Sequence, residues 1–159
     1  MDAATETLVY ERTLSIDASP ETVWEFLVDP EKLMRWKGIS ADLDPQPGGI
    51  YRCEVIPGHT ARGEFVELDK PSRLVFTWGW DGNEGVPPRS STIEIELASE
   101  GSGTSLRFAH HLPTVEAVAS HAHGWDHYLP RLETAAAGGD PGEDPWVANP
   151  PGIVGRSEQ

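Results

Sequence analysis

The chain has 159 residues, with 26 acidic and 12 basic side chains and a formal net charge of −14. This length suits one domain around one hydrophobic core, and the negative field argues against nucleic acid and anionic membrane surfaces as partners. The one cysteine, Cys53, excludes an internal disulfide.

The first predicted element is a strand from Leu8 to Asp17, because apolar and polar residues alternate along it. Arg12 breaks the pattern, since the alternation places it on the apolar face. A guanidinium there needs a carboxylate or an open cavity, and bending out to the strand edge would also satisfy it. Arg12 is therefore kept as a candidate pocket residue.

Two short helices are predicted after this strand. The run Ser19-Pro20-Glu21 supplies an N-cap, a proline for the first helical position and an acid for the first turn. The start signal is repeated at Asp29-Pro30-Glu31, and this second helix carries Leu33 and Trp36.

From Gly38 to His111 the sequence predicts a meander of short antiparallel strands, with one apolar and one charged face. Which of Phe65 and Val66 faces inward stays open. The loop from Asp81 to Ser90 is too long for a plain hairpin and is expected to gate access to the interior. The turns between the strands are Pro47-Gly48-Gly49, Pro57-Gly58-His59, Asp69-Lys70-Pro71-Ser72 and Glu100-Gly101-Ser102-Gly103.

A long helix is predicted between Pro113 and Ala137. Its wheel, centred on Trp125, gives an apolar stripe facing the sheet, with His123 and His127 on the opposite side. Two histidines one turn apart can share a metal, but no glutamate stands between them as in a metalloprotease, so we expect them in solvent. The stripe comprises Val118, His121, Ala122, Trp125, Leu129, Leu132 and Ala136.

The Pro/Gly-rich, acidic stretch 139–159 predicts a loosely ordered C-terminal tail, with Trp146 as a candidate anchor. No apolar run is long enough to cross a bilayer. The absence of a basic-then-apolar leader favours a cytoplasmic location.

The motifs occur in a fixed order over residues 7–138. They are Ala18-Ser19-Pro20-Glu21 with Val23-Trp24, Asp29-Pro30 with Leu33 and Arg35-Trp36, Pro47-Gly48-Gly49-Ile50-Tyr51, Gly63-Glu64-Phe65, Leu74-Val75-Phe76-Thr77-Trp78, and His121 with Gly124-Trp125 and His127-Tyr128-Leu129. This series resembles the START-like (SRPBCC, birch-pollen-allergen-like) superfamily, and within it the AHSA-type domains named for the activator of the heat shock protein 90 ATPase. The resemblance implies an α+β helix-grip fold, in which a curved antiparallel sheet and two short helices surround one long C-terminal helix.

The resemblance does not fix a function, because the superfamily includes lipid carriers, aromatase/cyclases, resistance proteins and chaperone activators. We expect a non-catalytic protein that binds an apolar or aromatic small molecule. The alternatives are a cyclase- or hydrolase-like enzyme acting on a polyketide-like substrate, and a chaperone ATPase co-regulator. Nothing here resembles the separate N-terminal domain of eukaryotic chaperone activators, so the family name is not taken as the activity. Self-association into a homodimer stays open.

In such a fold, aromatic side chains and two histidines are expected to line the space between sheet and helix. His110 and His121 face each other there. Either could orient a ligand or act as a general base, or could be a neutral core histidine bonded to a carbonyl or to Tyr128. Cys53 is interpreted as packing. The candidate binding residues are Arg12, Trp36, Tyr51, Phe76, Trp78, Trp80, Phe108, His110, His121 and Trp125, and we assign no catalytic residue, metal or cofactor.

Overall fold

The computed structural model describes residues 8–149, which contain seven strands and four helices. The strands are β1 (Val9–Ile16), β2 (Ser40–Leu43), β3 (Ile50–Ile56), β4 (His59–Asp69), β5 (Arg73–Trp78), β6 (Ser91–Glu100) and β7 (Gly103–His111). The helices are α1 (Pro20–Val28), α2 (Pro30–Leu33), α3 (Val115–Ala136) and α4 (Pro145–Ala148).

The strands form one antiparallel sheet in the order β1-β7-β6-β5-β4-β3-β2. Register shifts between Glu54 and Ile56 in β3 and between Phe65 and Glu67 in β4 mark irregularities of the bulge type, which bend a sheet. Which of Phe65 and Val66 faces inward is decided by their burial, because Phe65 is buried and Val66 is exposed. The predicted α+β helix-grip architecture is confirmed.

Helix α1 starts as its sequence predicts, whereas the Asp29 side chain before α2 makes no capping hydrogen bond. The Ser19 Oγ accepts a hydrogen bond from the Thr22 amide at 3.2 Å, and Pro20 occupies the first turn of α1. Asp29 ends α1 and precedes Pro30, which begins α2. Together they carry buried apolar side chains to one end of the space between the sheet and α3.

Helix α3 has 22 residues and faces the sheet with most of its predicted stripe around Trp125, although two members of that stripe, Val118 and Ala122, are only half-buried. Thr114 caps it by accepting a hydrogen bond from the Ala117 amide at 3.0 Å. Within residues 8–149, no helix has both the length and the apolar character that a membrane span requires.

The C-terminal segment differs from the expectation of a loose tail over the part that the structure describes. Helix α4 packs on α3 through Trp146, whose ring stacks on His127 with centroids 3.8 Å apart. Trp146 also stacks on His123 at 5.1 Å, so the surface expected to face solvent is partly covered. Thr7 and residues 150–159 of the predicted domain and tail lie outside the described residues.

Candidate functional site

Nine of the ten candidate binding residues lie together between the sheet and α3, and each is at most 5% exposed. The sheet and α1–α2 region supply most of the rings, and α3 supplies His121 and Trp125. The nine are Trp36, Tyr51, Phe76, Trp78, Trp80, Phe108, His110, His121 and Trp125.

Arg12 is the exception, because its side chain remains 34% exposed at the rim. Its Nη1 lies 3.2 Å from Asp126 Oδ1 on α3, and the Tyr10 hydroxyl donates to the same oxygen at 2.6 Å. The guanidinium therefore finds a carboxylate rather than a cavity. Arg12 does not line either interior void described below.

The space between sheet and helix is filled by these side chains. Voids of about 20 Å³ and about 10 Å³ lie among the described residues of this space, whereas pockets for drug-sized ligands measure roughly 300–1,000 Å³. Each void has room for about one water molecule. The expected roomy apolar pocket is thus absent from the described residues, because three tryptophans and one lysine occupy its volume.

The lysine is Lys37, which is only 2% exposed and is not among the ten residues predicted from the sequence. The Lys37 amide donates to the Leu33 carbonyl at 2.9 Å, so one more helical turn follows α2. Leu33, Trp36 and Lys37 then share its inward face, because positions i, i+3 and i+4 lie on one side of a helix. This spacing was readable in the sequence, but a lysine at such a position is ordinarily expected to face water.

The Lys37 ammonium lies in a cage of aromatic rings. Its Nζ donates to the Tyr51 hydroxyl at 2.8 Å and lies 4.6 Å from the centre of the Trp78 ring. The rings of Trp125, Trp36 and Tyr51 lie 5.0, 5.4 and 5.4 Å away.

No carboxylate among residues 8–149 forms an ion pair with Lys37. Burial lowers the pKa of its amine to about 8, and the thiol of Cys53 opposes that shift only weakly. Burial also raises the pKa of the Tyr51 phenol well above its ordinary value, so the phenol keeps its proton. The interior therefore holds an amine whose charged form is poorly compensated.

A buried donor without a hydrogen-bond partner lies near this amine. Trp78 Nε1 is buried and has no hydrogen-bond partner among the described residues. Trp78 and Lys37 both line the larger void, together with Val55, Trp80, His121, Gly124, Trp125 and Tyr128. Lys37 also lines the smaller void.

Both ring nitrogens of His110 are engaged by protein groups. The Trp125 indole donates to Nδ1 at 3.0 Å, so the proton lies on Nε2, which faces Ser91 Oγ at 2.9 Å. The Ser91 hydroxyl donates onward to the Trp78 carbonyl at 2.7 Å. Burial lowers the pKa of His110 far below its ordinary value, so this imidazole is neutral.

His121 is fixed in the opposite tautomer. The Trp80 indole donates to Nε2 at 2.9 Å, and Nδ1 carries the proton that bonds the Ala117 carbonyl at 2.8 Å. Burial lowers the pKa of His121 to about 4, against the effect of that backbone bond. Neither histidine has a free lone pair with which to take a proton from a substrate.

Internal hydrogen bonds fix the loop from Asp81 to Ser90, which was expected to gate the interior. Trp80 is buried, and its amide donates to the Val86 carbonyl at 2.8 Å. Asn83 Oδ1 accepts from the amides of Gly85 and Val86 at 2.8 and 2.9 Å. These bonds give the loop a defined shape over the sheet.

The C-terminal segment covers the α3 side of the larger void. The Tyr128 hydroxyl donates to Asp144 Oδ2 at 2.6 Å, and His127 Nε2 lies 2.8 Å from Asp144 Oδ1. Burial opposes ionisation of Asp144, but the bonds from Tyr128, the Trp146 amide and His127 outweigh it and lower the pKa of this carboxyl. Tyr128 is thus held in place by a carboxylate of the tail.

A groove of about 440 Å³ runs outside this region, between residues 34–39 and the tail. Arg131 spans it by donating to the carbonyls of Trp36, Pro141 and Gly142 at 3.1, 3.2 and 2.9 Å. Lys37 belongs to the walls of this groove and of both inner voids. It therefore stands at the boundary between the interior and the surface under the tail.

Comparisons with known proteins agree with this fold. The solution structure of an AHSA1-like protein from Rhizobium etli is 47% identical, covers 87% of each chain and superposes with a TM-score of 0.69. CalU16 from Micromonospora echinospora is 27% identical over 89% of this chain and 71% of its own, with a TM-score of 0.71.

The Aha1 dimer from Colwellia psychrerythraea shares the fold at 19% identity and a TM-score of 0.72, over 82% of this chain and 97% of its own. No curated protein matches the sequence significantly. The family model described as Activator of Hsp90 ATPase homolog 1-like protein matches residues 17–137, which is most of the chain. The protein is therefore a member of the Activator of Hsp90 ATPase homolog 1-like family.

Proposed function

We propose that the protein binds a small apolar molecule, aromatic or aliphatic, that carries a carbonyl or carboxylate oxygen. The observation that supports this most directly is the buried Lys37 ammonium, which has no carboxylate partner among the described residues, beside the unpartnered Trp78 Nε1. A ligand oxygen placed in the larger void would accept from these donors, while the surrounding rings contact its apolar body.

The energetics favour this interpretation over a purely structural lysine. A buried cation without a counter-ion and a buried indole N–H without an acceptor each destabilise the folded state by about 1–3 kcal/mol or more. Methionine would fill the same volume without that cost. Stability sacrificed in this way is typical of binding sites, where the ligand completes the bonds that the empty protein lacks.

The ligand needs more room than the two voids offer, so binding requires local rearrangement. Tyr128 borders the larger void, and its hydroxyl is held by Asp144 of the tail. Release of α4 from α3 would free Tyr128, which lines the same void as Lys37. We therefore place the route of access under the tail, rather than through the bonded loop from Asp81 to Ser90.

The proposed function is tested with butanoate and benzoate as probes, in thermal shift and ligand-observed NMR measurements. Wild type and Lys32→Met are expected to bind and to rise in Tm with probe concentration, whereas Lys37→Met is expected to bind neither probe. Lys32 is the matched control because it is a partly exposed lysine on α2. Equal binding by Lys37→Met, or no binding by wild type, would refute the proposal.

The enzyme alternative has less support. A cyclase- or hydrolase-like mechanism would use His110 or His121 as a base, yet both imidazoles have their two nitrogens bonded within the protein. The chaperone co-regulator alternative rests on the family name. The Aha1 protein from Colwellia psychrerythraea, which shares the fold, is a dimer. Whether this chain also forms a homodimer is tested by measuring its molar mass in solution.

A further inference from the structure

We infer that Lys37 is a reactive amine that captures a small apolar aldehyde as an imine inside the protein. This inference rests on the proposed function, and it adds a chemical reaction and a narrower ligand class. It is carried by Lys37, which lines the larger void, and by its Nζ, which is enclosed by four aromatic rings and lies 2.8 Å from the Tyr51 hydroxyl.

Capture of an aldehyde requires an amine without its proton. The enclosure disfavours the ammonium, and the lowered pKa of about 8 leaves roughly a tenth of the Lys37 side chains neutral at pH 7. An exposed lysine is neutral in well under a thousandth of molecules at that pH. An apolar surrounding of this kind is a known way of activating lysine as a nucleophile.

The reaction needs only the aldehyde. The Nζ lone pair attacks the carbonyl carbon, a C–N bond forms, and one of the two Nζ protons passes to the carbonyl oxygen to give a carbinolamine. The C–O bond then breaks as the second Nζ proton reaches the departing oxygen, so that one imine and one water are formed from one amine and one aldehyde. The Tyr51 phenol is near enough to Nζ to relay these protons, giving its own to the oxygen as it accepts one from the nitrogen, so that it ends protonated.

The same surroundings would preserve the product. Hydrolysis of an imine requires water at the C=N carbon, and the alkyl or aryl group of the bound aldehyde would take the room that the two voids otherwise offer to about one water each. A carboxylate beside Nζ would instead hold the amine charged, and none pairs with Lys37 among residues 8–149. The site therefore suits a short alkyl or aryl aldehyde better than a polar sugar.

The test uses the full chain, propanal as the probe, and borohydride to reduce any imine, followed by peptide mass spectrometry. The chain has three lysines, Lys32, Lys37 and Lys70, so the two others serve as internal references. At pH 7 we expect Lys37 to be alkylated at least tenfold faster than either reference lysine, and in Lys37→Met we expect both remaining lysines to keep their slow rates. The Lys37 rate should level off above pH 8.

A second variant distinguishes chemical activation of the Lys37 amine from its accessibility to propanal. Tyr51→Phe should lower the rate at Lys37 several-fold while the adduct stays on the same residue, because the phenol positions and transfers a proton and does not form the bond. Labelling of Lys37 no faster than Lys32 or Lys70 would overturn the inference. If butanoate still bound through Lys37 in that case, the proposed function would stand alone; loss of both would refute both.

Discussion

Lys37 Nζ donates a hydrogen bond to the Tyr51 hydroxyl at 2.8 Å, and this neutral phenol is its hydrogen-bond acceptor among the described residues. Aromatic faces supply the rest of its surroundings. Cation–π contacts offset part of the desolvation of an ammonium, by about 0.5–2 kcal/mol each. They leave the charged form less stable here than in water, as the lowered pKa of Lys37 shows.

Replacement of Lys37 by methionine should therefore stabilise the empty protein. We expect the free energy of unfolding at pH 7 to rise by about 1–3 kcal/mol, since the lost bond to Tyr51 offsets part of the gain. Urea denaturation checks this. Lys32→Met, at a partly exposed site with an ion pair to Glu25, should change stability by less than about 1 kcal/mol. A destabilised Lys37→Met would mean that the aromatic cage compensates the charge in full.

The stability gained by Lys37→Met should depend on pH. The folded pKa of about 8 lies below the ordinary 10.5, so between these values the unfolded chain binds more protons than the folded chain. Wild-type stability relative to the variant must then rise with pH across this window. We expect the difference in free energy of unfolding between Lys37→Met and wild type to be constant below pH 7 and to decrease from pH 8 to 10, as measured by urea denaturation. A difference that does not depend on pH would show that the pKa of Lys37 is not lowered in the folded protein.

Acid should destabilise the protein through His121. Its folded pKa of about 4 lies below the ordinary 6.5, so the stability that its neutral form provides is lost as pH falls from 6.5 towards 4. His121→Gln should reduce the loss between pH 7 and pH 5 by about 2 kcal/mol. Urea denaturation of wild type and His121→Gln at pH 7 and pH 5 measures this difference.

The fold was largely readable from the sequence, because it depends on local patterns. Period-two alternation indicates the strands, the two Ser/Asp-Pro-Glu starts indicate α1 and α2, and the wheel around Trp125 selects the buried face of α3. The pairing of His110 with Trp125 could not be read in this way. It depends on strand register and on the distance between α3 and the sheet, which are set by tertiary packing.

The site was readable only in part. The aromatic residues were selected correctly as interior residues, but whether they enclose or fill a space depends on side-chain volumes and rotamers in three dimensions. Lys37 was missed because a charged lysine is ordinarily expected to face water, although its i, i+4 spacing from Leu33 places it on the inward face of the helical turn. The docked tail also had a local signal, since Asp144-Pro145 repeats the start motif of Asp29-Pro30.

The bond between Tyr128 and Asp144 should anchor the tail on α3. In a double-mutant cycle of Tyr128→Phe and Asp144→Asn, we expect a coupling energy of about 1–2 kcal/mol, because the bond is short, partly buried and charge-assisted. Chemical denaturation of the four variants gives this value. Either variant should also speed benzoate binding if access runs under the tail. A coupling near zero would show that Trp146 holds the segment by itself.

Gly38 sets the direction of the chain just after Lys37, so its replacement should affect both stability and reactivity. Its φ is +101°, and a Cβ built there would lie 2.5 Å from the Cys53 Sγ. Gly58 has a φ of +83°, and a Cβ built there would have no heavy atom within 4 Å. Its replacement therefore introduces backbone strain without a steric clash.

Gly58→Ala should cost about 1 kcal/mol, and Gly38→Ala at least about 2 kcal/mol more, because the thiol lies in the packed core. Adding Cys53→Ala to Gly38→Ala should recover part of that excess but not the strain. In Gly38→Ala the displaced amine should also react more slowly with propanal, measured at Lys37 against Lys70. Equal losses of stability in Gly38→Ala and Gly58→Ala would show that the Cys53 side chain moves aside at no cost in free energy and that Lys37 is positioned by α2 alone.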